Sequence, residues 1–231
     1  NYITTPIKTE EGELFKWMKV DRFESFFHNV DMNTGGKLFS SKVDLDSKNK
    51  YRFISRGVME EAIASSQLEG AHTTRKAAKE FLKEGRKPKN KSERMILNNY
   101  NTIKAIEDDY KEEELTKELL FEFHSMITKD TMEDPNESGR FRREDEDIKV
   151  WDHNTILHVP PNVDFMNSEM DRLIKFANDG LSEQTFLHPV AKAIMLHFWI
   201  GYLHPFVDGN GRLARLLFYW YLVTVKFNIL I

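Results

Sequence analysis

Apolar residues recur every three or four positions through most of this chain, which is the spacing of one helical face. Residues 92–110 carry such a stripe, and so do the residues that follow Thr116, a suitable N-cap, and Pro160–Pro161. A further helix is predicted from Pro189. We expect its core-facing stripe to contain Val190, Ile194, His197, Gly201 and His204.

The first half of the chain predicts two more helices and one uncertain segment. Residues 55–70 and 73–85 have helical spacing and end at Gly70 and Gly85, as helices often do. Residues 1–50 are less regular. There we expect a helix near residues 10–27, followed by a turn at Gly35–Gly36.

Residues 148–159 break the helical pattern. Apolar runs flank Asp152, His153 and Asn154, which are turn-forming residues, so this stretch predicts a small β-hairpin. The fold class that follows is mainly α with one β-hairpin.

Composition narrows the classes of protein that are possible. The chain has 231 residues, of which 40% are hydrophobic and 30% charged, as in ordinary globular proteins. A net charge of −4 gives no reason to expect nucleic-acid or membrane binding. There are no cysteines, so thiolate metal sites are excluded and a reducing compartment is indicated. These features favour a cytoplasmic protein with no membrane partner. The absent initial methionine and the apolar final segment FNILI lead us to expect a longer chain with a missing C-terminal module.

Residues 203–215, LHPFVDGNGRLAR, contain the parts of an anion-binding loop. Gly209 and Gly211 permit positive φ and a close approach of the backbone, so successive N–H groups can converge on an anion. The helix predicted to begin near Gly211 adds the positive end of its dipole, which suits a phosphate group.

The same stretch supplies charged and basic side chains. Arg212 and Arg215 are three residues apart, so we expect them to share a helical face and to bind separate phosphates. Asp208 offers a hard oxygen ligand of the kind that Mg²⁺ uses beside phosphates. His204 could accept the proton of an attacking hydroxyl.

The stretch HPFVDGNGRLAR resembles the Fic family, whose signature is His-x-Phe-x-Asp/Glu-Gly-Asn-Gly-Arg-x-x-Arg, and it matches that signature at every specified position. The resemblance covers most of residues 50–231. It implies a Fic-type helical bundle with one β-hairpin flap. It also implies transfer of AMP from ATP to a hydroxyl of a target protein, with release of pyrophosphate. In that reaction His204 would be the general base, Phe206 an apolar anchor of the loop, and Asp208 the ligand of Mg²⁺.

The resemblance assigns roles to five further residues and to the hairpin. Gly209, Asn210 and Gly211 would form the anion hole, and Arg212 and Arg215 would contact the outer phosphates. The hairpin at 148–159 would be a flap that pairs with an extended segment of the target, a form of β-augmentation.

A second motif lies N-terminal to the first. Ser65-x-x-x-Glu69-Gly70 resembles the inhibitory motif of the Fic family, Ser/Thr-x-x-x-Glu-Gly/Asn. The resemblance implies that Glu69 pairs with Arg215 and competes with the γ-phosphate of ATP. The chain would then comprise a helical extension at 1–90, with its inhibitory helix at 55–70, and a catalytic core at 91–231, with the active-site loop at 204–215. The inhibitory helix could act within one chain or between the chains of a homodimer.

The residues leave other functions open. A Fic-type enzyme could use a different donor or remove AMP, and a catalytically quiet module could bind nucleotide without reaction. A metal-dependent hydrolase is a further alternative, although His197 and His204 lie two helical turns apart, too far to share one zinc ion without a third element.

Overall fold

The computed structural model describes residues 2–18, 20–34, 39–40, 43–44, 47–178 and 186–225. Eight α-helices and three two-stranded antiparallel hairpins occupy these residues. The helices are α1 (Asp21–Thr34), α2 (Ser47–Leu68), α3 (Arg75–Glu84), α4 (Lys91–Ala105), α5 (Lys117–Thr128), α6 (Val163–Asn178), α7 (Pro189–Leu203) and α8 (Asn210–Thr224). The strands are β1 (Tyr2–Lys8), β2 (Leu14–Met18), β3 (Phe39–Ser40), β4 (Val43–Asp44), β5 (Val150–Asp152) and β6 (Thr155–His158). The mainly α prediction is confirmed.

The N-terminal segment differs from its prediction. The helix expected near residues 10–27 is wrong before Asp21, because β1 and β2 pair there as a hairpin that turns at Thr9–Gly12. Thr5 and Ile7 are buried while their neighbours are more exposed, which is the alternation of a strand with one covered face. The segment 1–90, predicted as a helical extension, therefore begins with strands. The turn expected at Gly35–Gly36 lies outside the described residues.

Helix ends follow the capping chemistry of the sequence. The Thr116 side chain accepts a hydrogen bond from Leu119 N and Thr74 accepts one from Ala77 N, so each caps its helix. Gly85 ends α3 in the left-handed conformation, with φ of 63°. Pro189 is the first residue of α7, as predicted.

Helices α7 and α8 form the centre of the core. Trp199 on α7 and Trp220 on α8 are almost fully buried, within a cluster that also includes α5 and α6. The predicted stripe of α7 is right at Val190, which is buried, and wrong beyond it, because Ile194 is 52% exposed and the buried face carries Ala193, Leu196, Ile200 and Leu203. This helix is apolar on nearly every side, so periodicity could not identify the face that packs inward.

A smaller apolar cluster joins α2, α3 and α4. Ile63 of α2 packs there with Ala78 and Phe81 of α3 and Ile96 of α4. Asn99 of α4 also donates to the Ala62 carbonyl of α2, at 3.4 Å. These contacts fix the direction of α2, whose C-terminal end contacts α8.

None of the helices in the described part of the chain is long and apolar enough to cross a membrane.

The hairpin predicted at 148–159 is confirmed as β5 and β6. Its turn lies at His153–Asn154, and His153 takes a positive φ of 49°. The register is Asp152 with Thr155 and Trp151 with Ile156, with an irregularity between Trp151 and Val150. One hairpin was predicted, whereas the described residues contain three.

Candidate active site

The loop between α7 and α8 turns sharply at His204. The chain leaves α7 with His204 in the left-handed conformation, at φ of 46°, and enters α8 through Gly209, at φ of 85°. A non-glycine residue at positive φ is strained, so the surrounding structure must hold His204 in place.

The loop is closed on itself by Asn210. Its side-chain oxygen accepts from Phe206 N at 2.9 Å, and its side-chain nitrogen donates to Phe206 O at 2.7 Å. Because Asn210 is buried and both ends of its amide are used, its side chain shapes the loop. Any binding of an anion at the predicted hole would rely on backbone N–H groups there.

His124 on α5 holds the back of the loop, and the sequence analysis missed it. Gly139 N donates to His124 Nδ1 at 2.9 Å, so the proton resides on Nε2, which donates to Asp208 O at 2.8 Å. Its ring stacks on that of the buried Phe206, with ring centres 3.8 Å apart. Burial lowers the pKa of His124 to about 4, so it is neutral near pH 7.

His204 is placed to act as a base. Its Nδ1 faces the Gly201 carbonyl at 3.4 Å, an arrangement that keeps the proton on Nδ1 and leaves the Nε2 lone pair available. Burial lowers the pKa of His204 below its ordinary value of 6.5, although the Gly201 carbonyl acts in the opposite direction. The imidazole is therefore neutral near pH 7, as a general base must be.

The two arginines of the motif have different surroundings. Arg212 is 1% exposed, and its Nη1 donates to Ile127 O at 2.8 Å while its Nη2 lies 3.6 Å from Asp208 Oδ2. Burial lowers the pKa of Arg212, but a guanidinium remains charged at physiological pH. Arg212 thus packs behind the loop, and its predicted contact with phosphate stays a prediction.

Arg215 contacts the end of α2. Its Nε donates to Ser65 Oγ at 2.7 Å, and its Nη2 donates to Ser65 O at 3.1 Å and to Glu69 Oε1 at 2.8 Å. The Glu69 carboxylate also lies directly against Gly211, where an added β-carbon would collide with Oε1. The structure therefore brings the two sequence motifs together: a carboxylate lies at the N-terminus of α8, beside a cation.

Gly70 and Asp208 complete the predicted set. Gly70 follows α2 with φ of 88°, and its N–H donates to Gln67 O, so it ends the helix just beyond Glu69. Asp208 is 54% exposed at its side chain, where Oδ1 accepts from Gly209 N at 2.6 Å. Within the described ranges, no group of three or more histidine and acidic side chains could hold a metal ion.

The flap is tied to the end of α7. His158 Nε2 is 2.7 Å from Tyr202 O, two residues before His204. On the flap, the side chains of Trp151 and Leu157 are exposed, at 55% and 64%. The hairpin thus offers open apolar side chains close to the histidine.

The site thus combines a neutral histidine, a glycine-containing loop at a helix N-terminus and a nearby arginine, which is a set of groups chemically suited to a phosphate. Residues 114–222 match the model of the Fic/DOC family. The proteins called "Protein adenylyltransferase Fic" from Culex quinquefasciatus and Nematostella vectensis are 38% identical over 104 residues and 35% identical over 109. These matches cover 45% and 46% of this chain, and 18% and 22% of the relatives' own lengths. The chain thus spans about a fifth of the curated relatives it matches.

Solved structures agree on the fold. A Fic-domain-containing signalling protein from Bacteroides thetaiotaomicron superposes with a TM-score of 0.70 at 22% identity, covering 86% of this chain and 72% of that one. Fic-1 from C. elegans gives a TM-score of 0.68 at 16% identity, covering 87% and 56%. The likeness extends well beyond residues 114–222, into the N-terminal helices.

Proposed function

We propose that this protein is an adenylyltransferase that moves AMP from ATP to a serine, threonine or tyrosine hydroxyl of a target protein. The observation that carries the proposal is the carboxylate of Glu69, which lies against Gly211 and pairs with Arg215. A site that accommodates the chain's own anion at a helix N-terminus is chemically suited to a phosphate. The names of the curated relatives support the same reaction.

The reaction can be written with the residues of this site. The target hydroxyl oxygen attacks the α-phosphorus of ATP, its proton passes to His204 Nε2, and the bond to the bridging oxygen breaks. Pyrophosphate leaves, and AMP remains on the target oxygen. The site contributes a base, backbone donors and cations, so positioning and charge neutralisation supply the catalysis.

The proposal includes Mg²⁺ as cofactor and a cytoplasmic location. Asp208 is the residue that would hold the ion, because its carboxylate is largely exposed at the edge of the loop. A single protein carboxylate suits Mg²⁺, which takes its remaining ligands from phosphates and water. When bound, the ion would neutralise phosphate charge.

The proposal also includes inhibition by Glu69. While the carboxylate occupies Arg215, the outer phosphate of ATP would lose a cation and the nucleotide would lie in a non-productive position. In the described structure the pair forms within one chain, which supports inhibition in cis. The exposed flap would bind the extended target segment by strand pairing.

The test is incubation with ATP labelled at the α-phosphate, with and without cell lysate. We expect Glu69→Gly to label proteins at least tenfold more than the parent, because a hydrogen bond between charged groups is worth about 2 kcal/mol. His204→Ala in the Glu69→Gly background should lose label by about 10³-fold, the order of magnitude of general base catalysis. Glu80→Gly, at an exposed position of α3, is the control and should behave as the parent. Absence of label from Glu69→Gly would exclude AMP transfer from ATP and favour another donor or a binding module.

A further inference from the structure

Arg142, which the sequence motifs do not include, connects the flap to the catalytic loop. It lies in the segment between α5 and β5 and is 7% exposed. Its Nε donates to His204 O at 3.0 Å, and its Nη2 donates to Pro161 O at 2.5 Å and to Leu203 O at 3.4 Å. One guanidinium therefore bonds Pro161, two residues beyond the flap at 148–159, and Leu203 and His204 at the turn of the loop.

The backbone of Arg142 adds a fourth bond to the same place. Arg142 N donates to Pro205 O at 2.8 Å. The carbonyls of three consecutive residues, 203–205, are thus held from one position. His204 is the middle residue of the three and has positive φ, so these bonds offset the strain of its left-handed backbone.

The contacts made at this position suit an arginine better than a lysine. The acceptors of its guanidinium are carbonyl oxygens, and no carboxylate among the described residues lies within salt-bridge distance of it. Burial lowers the pKa of Arg142, while Glu10 and Glu146 act in the opposite direction from farther away. A planar fork with several donors can serve carbonyls from two segments at once, whereas a lysine offers one nitrogen.

The residues that follow the flap are also bonded to the turn between β1 and β2. Asn162, the residue after Pro161, donates from its backbone N–H to Glu10 Oε1 at 2.9 Å. At the same end of the hairpin, His158, the last residue of β6, lies with its Nε2 2.7 Å from Tyr202 O of α7. The hairpin is thus anchored at its base, and Arg142 supplies the bonds that reach His204.

We propose that Arg142 is a positioning residue that holds the flap and His204 in one geometry, so that a target segment paired with the flap presents its hydroxyl to the base. This inference rests on the proposed function. Arg142 bonds the loop at 203–205, on the far side of Pro205 from the predicted nucleotide-binding residues at 209–215. Its loss should therefore lower turnover of the target and leave ATP affinity unchanged.

The experiment compares Arg142→Met, Arg142→Lys and the control Arg143→Met, all in the Glu69→Gly background. Arg143 is the adjacent residue and its side chain is exposed. We expect kcat for target labelling to fall about 100-fold in Arg142→Met, the size expected for a misplacement of about 1 Å, with the Kd of a non-hydrolysable ATP analogue within about twofold. Arg142→Lys should recover part of the loss, and Arg143→Met should match its background.

A second measurement does not depend on activity. Amide hydrogen exchange of residues 150–158 should be about tenfold faster in Arg142→Met, while exchange within α8 is unchanged. If Arg142→Met fails to fold, the same exchange and affinity measurements on Arg142→Lys decide the question.

Two results would overturn the inference: an unchanged kcat, or an ATP affinity that falls in parallel with kcat. Should the Glu69→Gly background transfer no label at all, the proposed function fails separately. Amide hydrogen exchange of residues 150–158 would then decide whether Arg142 holds the flap in place. Unchanged exchange in Arg142→Met would reject the inference.

Discussion

The loop between α7 and α8 and the end of α2 both lie near Arg215, yet they are held in different ways. Buried donors grip the loop from behind, since His124 binds Asp208 O and Arg142 binds His204 O. At the end of α2, Ser65 and Glu69 accept hydrogen bonds from Arg215. Residues 68–70, where this helix ends, are exposed. Bonds in the interior resist opening more than bonds at a helix end near solvent. The comparison indicates that the loop is the fixed partner and the end of α2 is the part that can yield.

The largest effect on stability and ATP affinity should follow from weakening the buried contacts that hold the loop. His124→Phe keeps an aromatic ring against Phe206 but removes both hydrogen bonds of the imidazole. The Asp208 carbonyl and the Gly139 N–H would lose their partners in the interior. We expect the free energy of unfolding at pH 7 to fall by about 3 kcal/mol, as for two unsatisfied buried groups, and ATP affinity to fall with it. Urea unfolding and equilibrium binding measure the two quantities.

The pH dependence of the same variant provides its control. The pKa of His124 is about 4 in the folded protein and about 6.5 in the unfolded chain. The unfolded chain therefore binds the proton first, so this contribution is complete above pH 6.5 and is lost as pH falls towards 4. The parent should lose about 3 kcal/mol more than His124→Phe over that range. Equal losses would mean that the histidine is not held neutral.

A smaller effect is expected from a substitution at the end of α2. Ser65→Ala removes the 2.7 Å bond to Arg215 Nε and leaves Glu69 in place. We expect label transfer by the otherwise native protein to rise about fivefold, and unfolding free energy to fall by about 1 kcal/mol, because one hydrogen bond to a charged group is lost. Ser66→Ala is the matched control, since Ser66 is also buried but bonds to Ala62 O within its own helix. An equal rise in both variants would show general loosening of α2.

The sequence predicted the residues of the loop motif better than the buried residues, His124 and Arg142, that hold the loop from behind. The helix ends at Thr116 and Gly85 follow local capping chemistry, and the loop motif is a contiguous stretch, so both could be found from nearby residues. His124 and Arg142 have partners more than 60 residues away in sequence, and each is a single polar residue without a pattern of its own. The one available signal was a histidine beside the apolar stripe of α5, which, if buried, would need polar partners.

Two fold errors have similar physical causes. The strands at 2–18 are short, and their alternation lies next to an amphipathic helix, so the helical period was extended too far towards the N-terminus. The face of α7 could not be assigned because that helix is apolar on nearly all sides. In both cases packing against segments distant in the sequence determines the structure that forms, and the periodicity of the local sequence carries no information about such packing.

The smallest effect concerns the base itself and asks whether the fixed loop sets its pKa. Burial lowers the pKa of His204 below 6.5, so at pH 6.0 a larger fraction of its imidazole should be unprotonated than in an ordinary histidine. For the Glu69→Gly variant we expect kcat/KM to fall by less than about fourfold between pH 7.5 and 6.0, since a fourfold fall is the value for an ordinary histidine. Initial rates of label transfer at limiting target concentration measure this ratio. A fall of fourfold or more would place the base in open solvent, and the loop would then position His204 without changing its acidity.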